Sequence, residues 1–221
     1  MKKISFQKDK YLILKNVLSA DVADFFYNYL LLKRKVAHTL YQTKYYQEEI
    51  QEWGTWNDKQ VPNTYAVYSD LLMETLLSKL TPYMEENTKL KLSPNYSFAR
   101  IYKEGDVLER HNDRFSCEIS TTLNLGGDPW PIYISTKENV GIPDNKKIFW
   151  KSKAKGTKID LKPGDMLIYR GMELEHWRNK FKGKSCGQVF LHYNNLATKG
   201  SDKNIYDRRP HLGLPSAFKL N

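Results

Sequence analysis

A chain of 221 residues, 40% of them hydrophobic, can build one substantial core and is short for two enzymatic domains. Its two cysteines, Cys117 and Cys186, lie in no C-x-x-C arrangement, which argues against a disulfide scaffold or a thiolate zinc site, and no stretch approaches the roughly twenty apolar residues needed to cross a bilayer. A formal charge of +10 favours acidic partners, nucleic acid or a small dicarboxylate, without choosing between them.

The segment Met1 to Lys10 is polar and has no apolar core of the secretory kind, so a soluble, cytoplasmic protein without a signal peptide or membrane partner is expected. After the short run Tyr11 to Val17, Ser19 can cap a helix whose apolar positions Val22, Phe25, Phe26, Tyr29 and Leu32 follow 3.6-residue spacing. Lys33 to Lys35 would close it, basic groups suiting the negative end of the helix dipole. The segment 41–68 carries Tyr41, Tyr45, Tyr46, Trp53, Trp56, Tyr65 and Tyr68 without clear periodicity, as a lid, a binding loop or ordinary packing would. A second helix starts at Ser69 or Asp70, presents Leu72, Met73, Leu76, Leu77 and Leu80 on one stripe and is disturbed at Pro82.

From Tyr96 onward short strand-like runs dominate: 98–102, 117–125, 132–135, 147–150, 158–161, 166–169 and 188–193, broken by Gly, Pro and Asp. Helices first and strands after predict an α+β fold, mainly β, with a double-stranded β-helix (jelly-roll) core. The expected division is a single domain with helical support and a lid over 1–95, a core over 96–195 and a turn-rich tail over 196–221. Lys146, Lys147, Lys151, Lys153, Lys155 and Lys158 crowd one segment. A solvated hairpin is the simpler reading and a phosphate-binding strip the alternative.

The chemically informative piece is Arg110-His111-Asn112-Asp113-Arg114. On extended backbone His111 and Asp113 point to one side, so an imidazole and a carboxylate can meet one metal ion. A third donor is needed, and His176 follows a turn, a strand and another turn over 162–171. Two His and one carboxylate occupy one face of an octahedral iron(II) ion and leave open positions for a bidentate cosubstrate and dioxygen. His38 and His211 have no such spacing.

These residues resemble those of the prolyl-4-hydroxylase-like oxygenases, which depend on Fe(II) and 2-oxoglutarate. Tyr102, followed by Lys103-Glu104-Gly105, resembles the Tyr-x-x-Gly approach to His-x-Asp; Ser120 stands where the family often has Thr. The Pro163-Gly164-Asp165 turn, His176 and the final strand Val189 to Tyr193 continue the likeness through the second half of the chain. The resemblance implies a jelly-roll dioxygenase with His111, Asp113 and His176 on the metal. Fe(II), 2-oxoglutarate and O2 would be required, with ascorbate as a further cofactor, and C–H hydroxylation would release succinate and CO2. Asp113 leaves no vacant ligand position for chloride, so hydroxylation rather than halogenation is implied. A prolyl or other peptide substrate is the family-level expectation. Oxidative demethylation of nucleic acid, suggested by charge and aromatic content, and a non-catalytic metal-binding jelly roll are the competing readings.

The resemblance also implies cosubstrate contacts from Tyr102, Ser120 and Thr122. In the family a basic residue after the distal His holds the far carboxylate of 2-oxoglutarate. This sequence departs from the pattern: Cys186 stands there, Lys184 comes two places earlier, and Arg178 lies two residues after His176. Lys184 and Arg178 therefore compete for the role; Arg offers a planar fork that fits a carboxylate.

Overall fold

The computed structural model describes residues 4–136 and 153–220. Lys146, Lys147, Lys151 and the expected strand 147–150 fall outside the described residues; Lys153, Lys155 and Lys158 are exposed. The elements in chain order are α1 (Phe6–Asp9), β1 (Tyr11–Leu14), α2 (Ala20–Gln42), β2 (Tyr65–Tyr68), α3 (Leu71–Thr88), β3 (Leu92–Lys103), β4 (Leu108–His111), β5 (Ile119–Gly127), β6 (Ile132–Ile134), β7 (Thr157–Ile159), β8 (Met166–Arg170), β9 (His176–Arg178) and β10 (Ser185–Asn195). Four short 3-10 turns complete the described chain, one at Phe115–Cys117 before β5 and three in the tail.

The strands form two sheets, one of six in the order β1-β8-β5-β10-β3-β2 and one of four in the order β4-β9-β6-β7, with every pairing antiparallel. Mainly antiparallel sheets with helices at the N-terminal side give the expected jelly-roll architecture. Strand periodicity sets the layers. Along β5, Ile119, Leu123 and Leu125 belong to the main apolar cluster, whereas Ser120, Thr122 and Asn124 alternate with them on the face toward the smaller sheet. Val189, Leu191 and Tyr193 of β10 and Ala99 and Ile101 of β3 join the same cluster, which is closed by Phe26, Leu30 and Ala37 of α2 and Met73, Leu76, Leu77 and Met84 of α3. The inward residues enter two smaller clusters: Leu167 and Tyr169 with Ile132, Ile134 and Ile159, and Tyr102, Cys186 and Phe190 with Val61, Leu108, Trp130 and Phe181.

Both long helices outrun their expected ends. In α2, Ser19 accepts from the Val22 N–H at 3.3 Å, but the helix continues through Lys33–Lys35 to Gln42. Its buried stripe is Ala23, Phe26, Leu30 and Ala37, so Val22, Phe25 and Leu32, expected inside, face solvent; Phe25 is 61% exposed. Ala is small enough to let the helix approach the sheet, and hydropathy alone undervalues it. Lys33 does not cap the helix but pairs with Asp70 at 2.5 Å. In α3, Asp70 caps by accepting from the N–H groups of Leu72 and Met73, and the helix passes Pro82 to Thr88 with Met84 and Thr88 buried.

The tail does more than wrap the surface. Arg209 is buried and donates to Glu74 at 2.8 Å and to the Asn95 carbonyl at 2.9 Å, while Asp207 pairs with Arg114 at 2.8 Å. No described helix is long and apolar enough to cross a membrane.

Candidate metal centre and cosubstrate pocket

β4 and β9 pair antiparallel with His111 directly opposite His176, which puts both imidazoles on one face with ring centroids 4.2 Å apart. Each ring is turned the same way. His111 Nδ1 lies 2.8 Å from the Glu109 carbonyl and His176 Nδ1 lies 2.9 Å from the Leu174 carbonyl. A carbonyl only accepts, so both Nδ1 atoms carry a proton and both Nε2 atoms point into the site.

Asp113 follows β4 and is pinned by its own N–H, which donates to the Gly171 carbonyl at 2.9 Å. Its Oδ1 lies 3.6 Å from His111 Nε2 and 3.5 Å from His176 Nε2. The three donor atoms fall within 4.8 Å of one another, the span one ion can bridge. Oδ2 is held at 2.7 Å by Ser120, whose hydroxyl lies 3.0 Å from His192 Nδ1. With the single hydroxyl proton directed at Asp113, His192 Nδ1–H donates to Ser120, and the chain leaves Oδ1 alone facing the imidazoles.

Burial and then the neighbouring His176 lower the pKa of His111, keeping it neutral. Burial would raise Asp113, but His176 and His111 outweigh it and hold the carboxyl well below the usual range. His192 is pushed down to about 4 by burial. A neutral imidazole at His111 and an ionised carboxylate at Asp113 are protonation states that suit a divalent cation.

Beside the triad lies a second polar feature. Arg178, two residues after His176 on β9, is 1% exposed. Its Nη2 donates to Thr122 Oγ1 at 3.2 Å and to Gln188 Oε1 at 3.3 Å, Nη1 donates to the Trp130 carbonyl, and Nε has no partner. Its guanidinium carbon sits 5.1 Å from the Trp130 ring centroid, and that ring meets Tyr102 at 4.6 Å. The Tyr102 hydroxyl is buried with no hydrogen-bond partner. Among the described residues no carboxylate pairs with Arg178, and burial lowers its pKa. A buried guanidinium without counter-charge is costly unless an anion joins it.

The two basic candidates lie in different surroundings. Lys184 is exposed on the turn before β10, where its backbone N–H donates to Asp128 at 2.6 Å, and its side chain does not line the pocket. Cys186 is buried in the same cluster as Tyr102 and Trp130, close enough to Arg178 to interact with it electrostatically. Tyr102, Ser120, Thr122 and Arg178 all point into the interior, Ser120 toward Asp113 and Thr122 toward Arg178.

Three contributors escape a reading of the sequence. Gly171 has no room for a side chain: a Cβ would stand 2.2 Å from Asp113 Oδ2 and 2.4 Å from the Cys117 carbonyl, so glycine lets the two loops touch. From the segment between α2 and β2, Asp58 Oδ2 meets Arg100 Nη2 at 2.6 Å, and Gln60 Nε2 lies 3.1 Å from His111 Nε2. The amide donates to the lone pair that an ion on His111 would use, so metal binding displaces this contact.

No protein-family profile and no curated protein matches the sequence. Solved structures do match in shape. A prolyl-4-hydroxylase from Pseudomonas putida is 14% identical, covering 86% of this chain and 95% of its own, with a TM-score of 0.52. The fold is that of 2-oxoglutarate-dependent enzymes. The epimerase SnoN from nogalamycin biosynthesis, in complex with Fe3+, α-ketoglutarate and nogalamycin RO, is 14% identical over 98% of this chain and 93% of its own, with a TM-score of 0.61. HygX from Streptomyces hygroscopicus, with nickel and 2-oxoglutarate bound, is 13% identical over 87% and 85%, with a TM-score of 0.56. Identities of this order concern the jelly-roll architecture, on which prolyl hydroxylase and epimerase are both built.

Proposed function

We propose that this protein is an Fe(II)- and 2-oxoglutarate-dependent dioxygenase that hydroxylates a C–H bond of a prolyl or other peptide substrate, with 2-oxoglutarate and O2 converted to succinate and CO2. The observation that carries the reading is the pairing of His111, Asp113 and His176, aimed at one point, with a buried, uncountered Arg178 alongside.

The donor set fits iron(II): two imidazole nitrogens and one carboxylate oxygen, each oriented by a hydrogen bond to its other polar atom. When bound, the ion and its cosubstrate supply the oxidising chemistry that amino-acid side chains lack. The chain's own residues supply position. Arg178, with Thr122 beside it, offers a planar fork to the far carboxylate of 2-oxoglutarate, and the Tyr102 hydroxyl is free to donate to the same molecule. Ser120 and His192 keep Asp113 presenting a single oxygen. Trp130, Tyr102 and Phe181 wall the pocket with apolar surface that excludes water.

The nucleic-acid reading loses one of its supports. Tyr41 and Trp56 meet edge to face, Trp56 packs on Tyr65 at 4.9 Å, and Trp53 and Trp56 lie against the main core. These rings hold the segment in place rather than offering faces for bases to stack on.

Anaerobic reconstitution with Fe(II) and 2-oxoglutarate should give the weak visible charge-transfer band of a chelate, and admission of air should yield succinate. A folded, iron-loaded protein that binds no 2-oxoglutarate would leave a metal-binding module and end the oxygenase reading.

A further inference from the structure

Arg100 lies on β3 two residues before Tyr102, so both side chains enter the interior of the jelly roll. It is 1% exposed and flanked by aromatic rings, its guanidinium carbon 5.1 Å from the Phe98 centroid and 5.5 Å from that of Tyr102. Among the described residues its ion-pair partner is Asp58, 25% exposed on the irregular segment between α2 and β2 that also brings Gln60 to His111. The fork is only partly used: Nη2 meets Asp58 at 2.6 Å, Nη1 has a long 3.4 Å contact with Gln60 Oε1, and Nε is buried without a partner.

The buried ion pair between Arg209 and Glu74 is built differently. Arg209 and Glu74 are both within 2% of full burial, and Arg209 sends its remaining donors to Ser69, Tyr206, Leu214 and Asn95. That arrangement leaves no donor of Arg209 unused. Arg100 keeps a donor idle, faces the same interior as the triad and relies on a loop for its charge partner. Two residues beyond Asp58, Gln60 reaches His111, and Val61 packs with Tyr102 and Trp130. A short stretch of the chain itself thus lies where a substrate would, with an acid on Arg100 and a polar group at the metal face.

We propose that Arg100 is the binding residue for a carboxylate on the primary substrate, and that Asp58 holds that position until substrate displaces it. The notion of a primary substrate rests on the oxygenase reading above; the anion site does not. A carboxylate approaching side-on would engage Nε and Nη2 together, completing the fork that Asp58 half fills. Arg178 remains for the cosubstrate, giving two buried guanidinium groups for two different acids. A peptide side-chain acid and a free terminal carboxyl share this chemistry, and the test below separates them.

The test is calorimetric and needs no turnover. Two probes are titrated into the full chain saturated with 2-oxoglutarate: the acetylated, amidated peptide Trp-Asn-Asp-Lys-Gln-Val, copied from residues 56–61, and N-acetylglycine. Asp58→Asn should bind one probe at least tenfold more tightly than the parent, because the competing internal carboxylate is gone. The preferred probe tells a side-chain acid from a free carboxyl. Adding Arg100→Gln to Asp58→Asn should remove the gain, Arg100→Lys should restore only part of it, and a peptide with Asn for Asp should not bind. Equal binding to parent and Asp58→Asn, or binding that survives Arg100→Gln, would overturn the proposal and leave Asp58–Arg100 as a loop clasp. 2-Oxoglutarate affinity measured on the same variants reports on the oxygenase reading separately. Its loss in the parent chain would count against that reading and not against the anion site.

Discussion

The two faces of the six-stranded sheet follow different rules. The outer face meets α2 and α3 through Leu123, Leu125, Val189 and Leu191, side chains with nothing to hydrogen-bond, and Tyr193 on that face donates to the Leu77 carbonyl at 3.0 Å. The inner face buries Arg100 and Tyr102, with Arg178 reaching over from β9 of the smaller sheet, and all three keep polar atoms left over; on the outer face only the Ser97 hydroxyl does so among the described residues. Burial of an unpartnered donor costs roughly 1 to 3 kcal/mol and more for a charge, so the inner face is held at a stability loss that the outer face offsets. The difference teaches where selection for folding ends and selection for binding begins.

The comparison can be broken first at its most demanding point. Asp113→Ala should abolish iron-dependent succinate formation, a loss of a thousandfold or more, and leave the far-UV circular dichroism unchanged; full turnover in this variant would remove the triad from the chemistry. Next, Arg178→Gln should weaken 2-oxoglutarate binding by about a hundredfold, against less than twofold for Lys184→Ala, as read by titration of the visible chelate band. On the outer face, Leu123→Ala should lower unfolding free energy by about 2–5 kcal/mol in urea with 2-oxoglutarate affinity intact. Arg178→Met should do the reverse, losing cosubstrate while raising the melting temperature, because it removes an uncompensated buried charge.

The smallest effect is a pH dependence. His192 has its pKa depressed to about 4 by burial, against about 6.5 in an unfolded chain. Between those values the unfolded state binds the proton and the native state does not, so stability is full above pH ~6.5 and falls as the pH drops toward 4. The loss amounts to at most roughly 3 kcal/mol, and His111, whose pKa is also lowered, adds in the same direction. His192→Gln should flatten the profile over this window in denaturant titrations; an unchanged slope would place the dependence elsewhere.

What the sequence makes legible follows from period and spacing. Alternation along 119–125 separates the helix-facing from the inward residues of β5, and His-x-Asp with a distal His identifies donors that the β4–β9 register then brings together. Two kinds of information stay hidden. Helix faces are misjudged where small residues do the packing, as Ala23 and Ala37 show on α2. Contacts from aperiodic segments carry no signature at all: nothing in Asn57-Asp58-Lys59-Gln60 announces that Asp58 will find Arg100 or Gln60 will find His111. Gly171 stands within a recognisable turn, but its necessity depends on Asp113 and Cys117, distant in the chain and touching in space. Arg178 hangs from the smaller sheet and Lys184 precedes a strand of the larger one, a difference of placement visible only when the strands are assembled.

Strand β9 has three residues, and two of them, His176 and Arg178, project to the same side. A slip of one position against β4 would carry both out of the interior at once and bring Trp177 in. The two inward side chains therefore share a single mechanical fate. Outward-facing Trp177, stacked on Tyr133 at 5.6 Å and covered by the Arg110 guanidinium and by Gly156, acts as the detent that fixes the register for both.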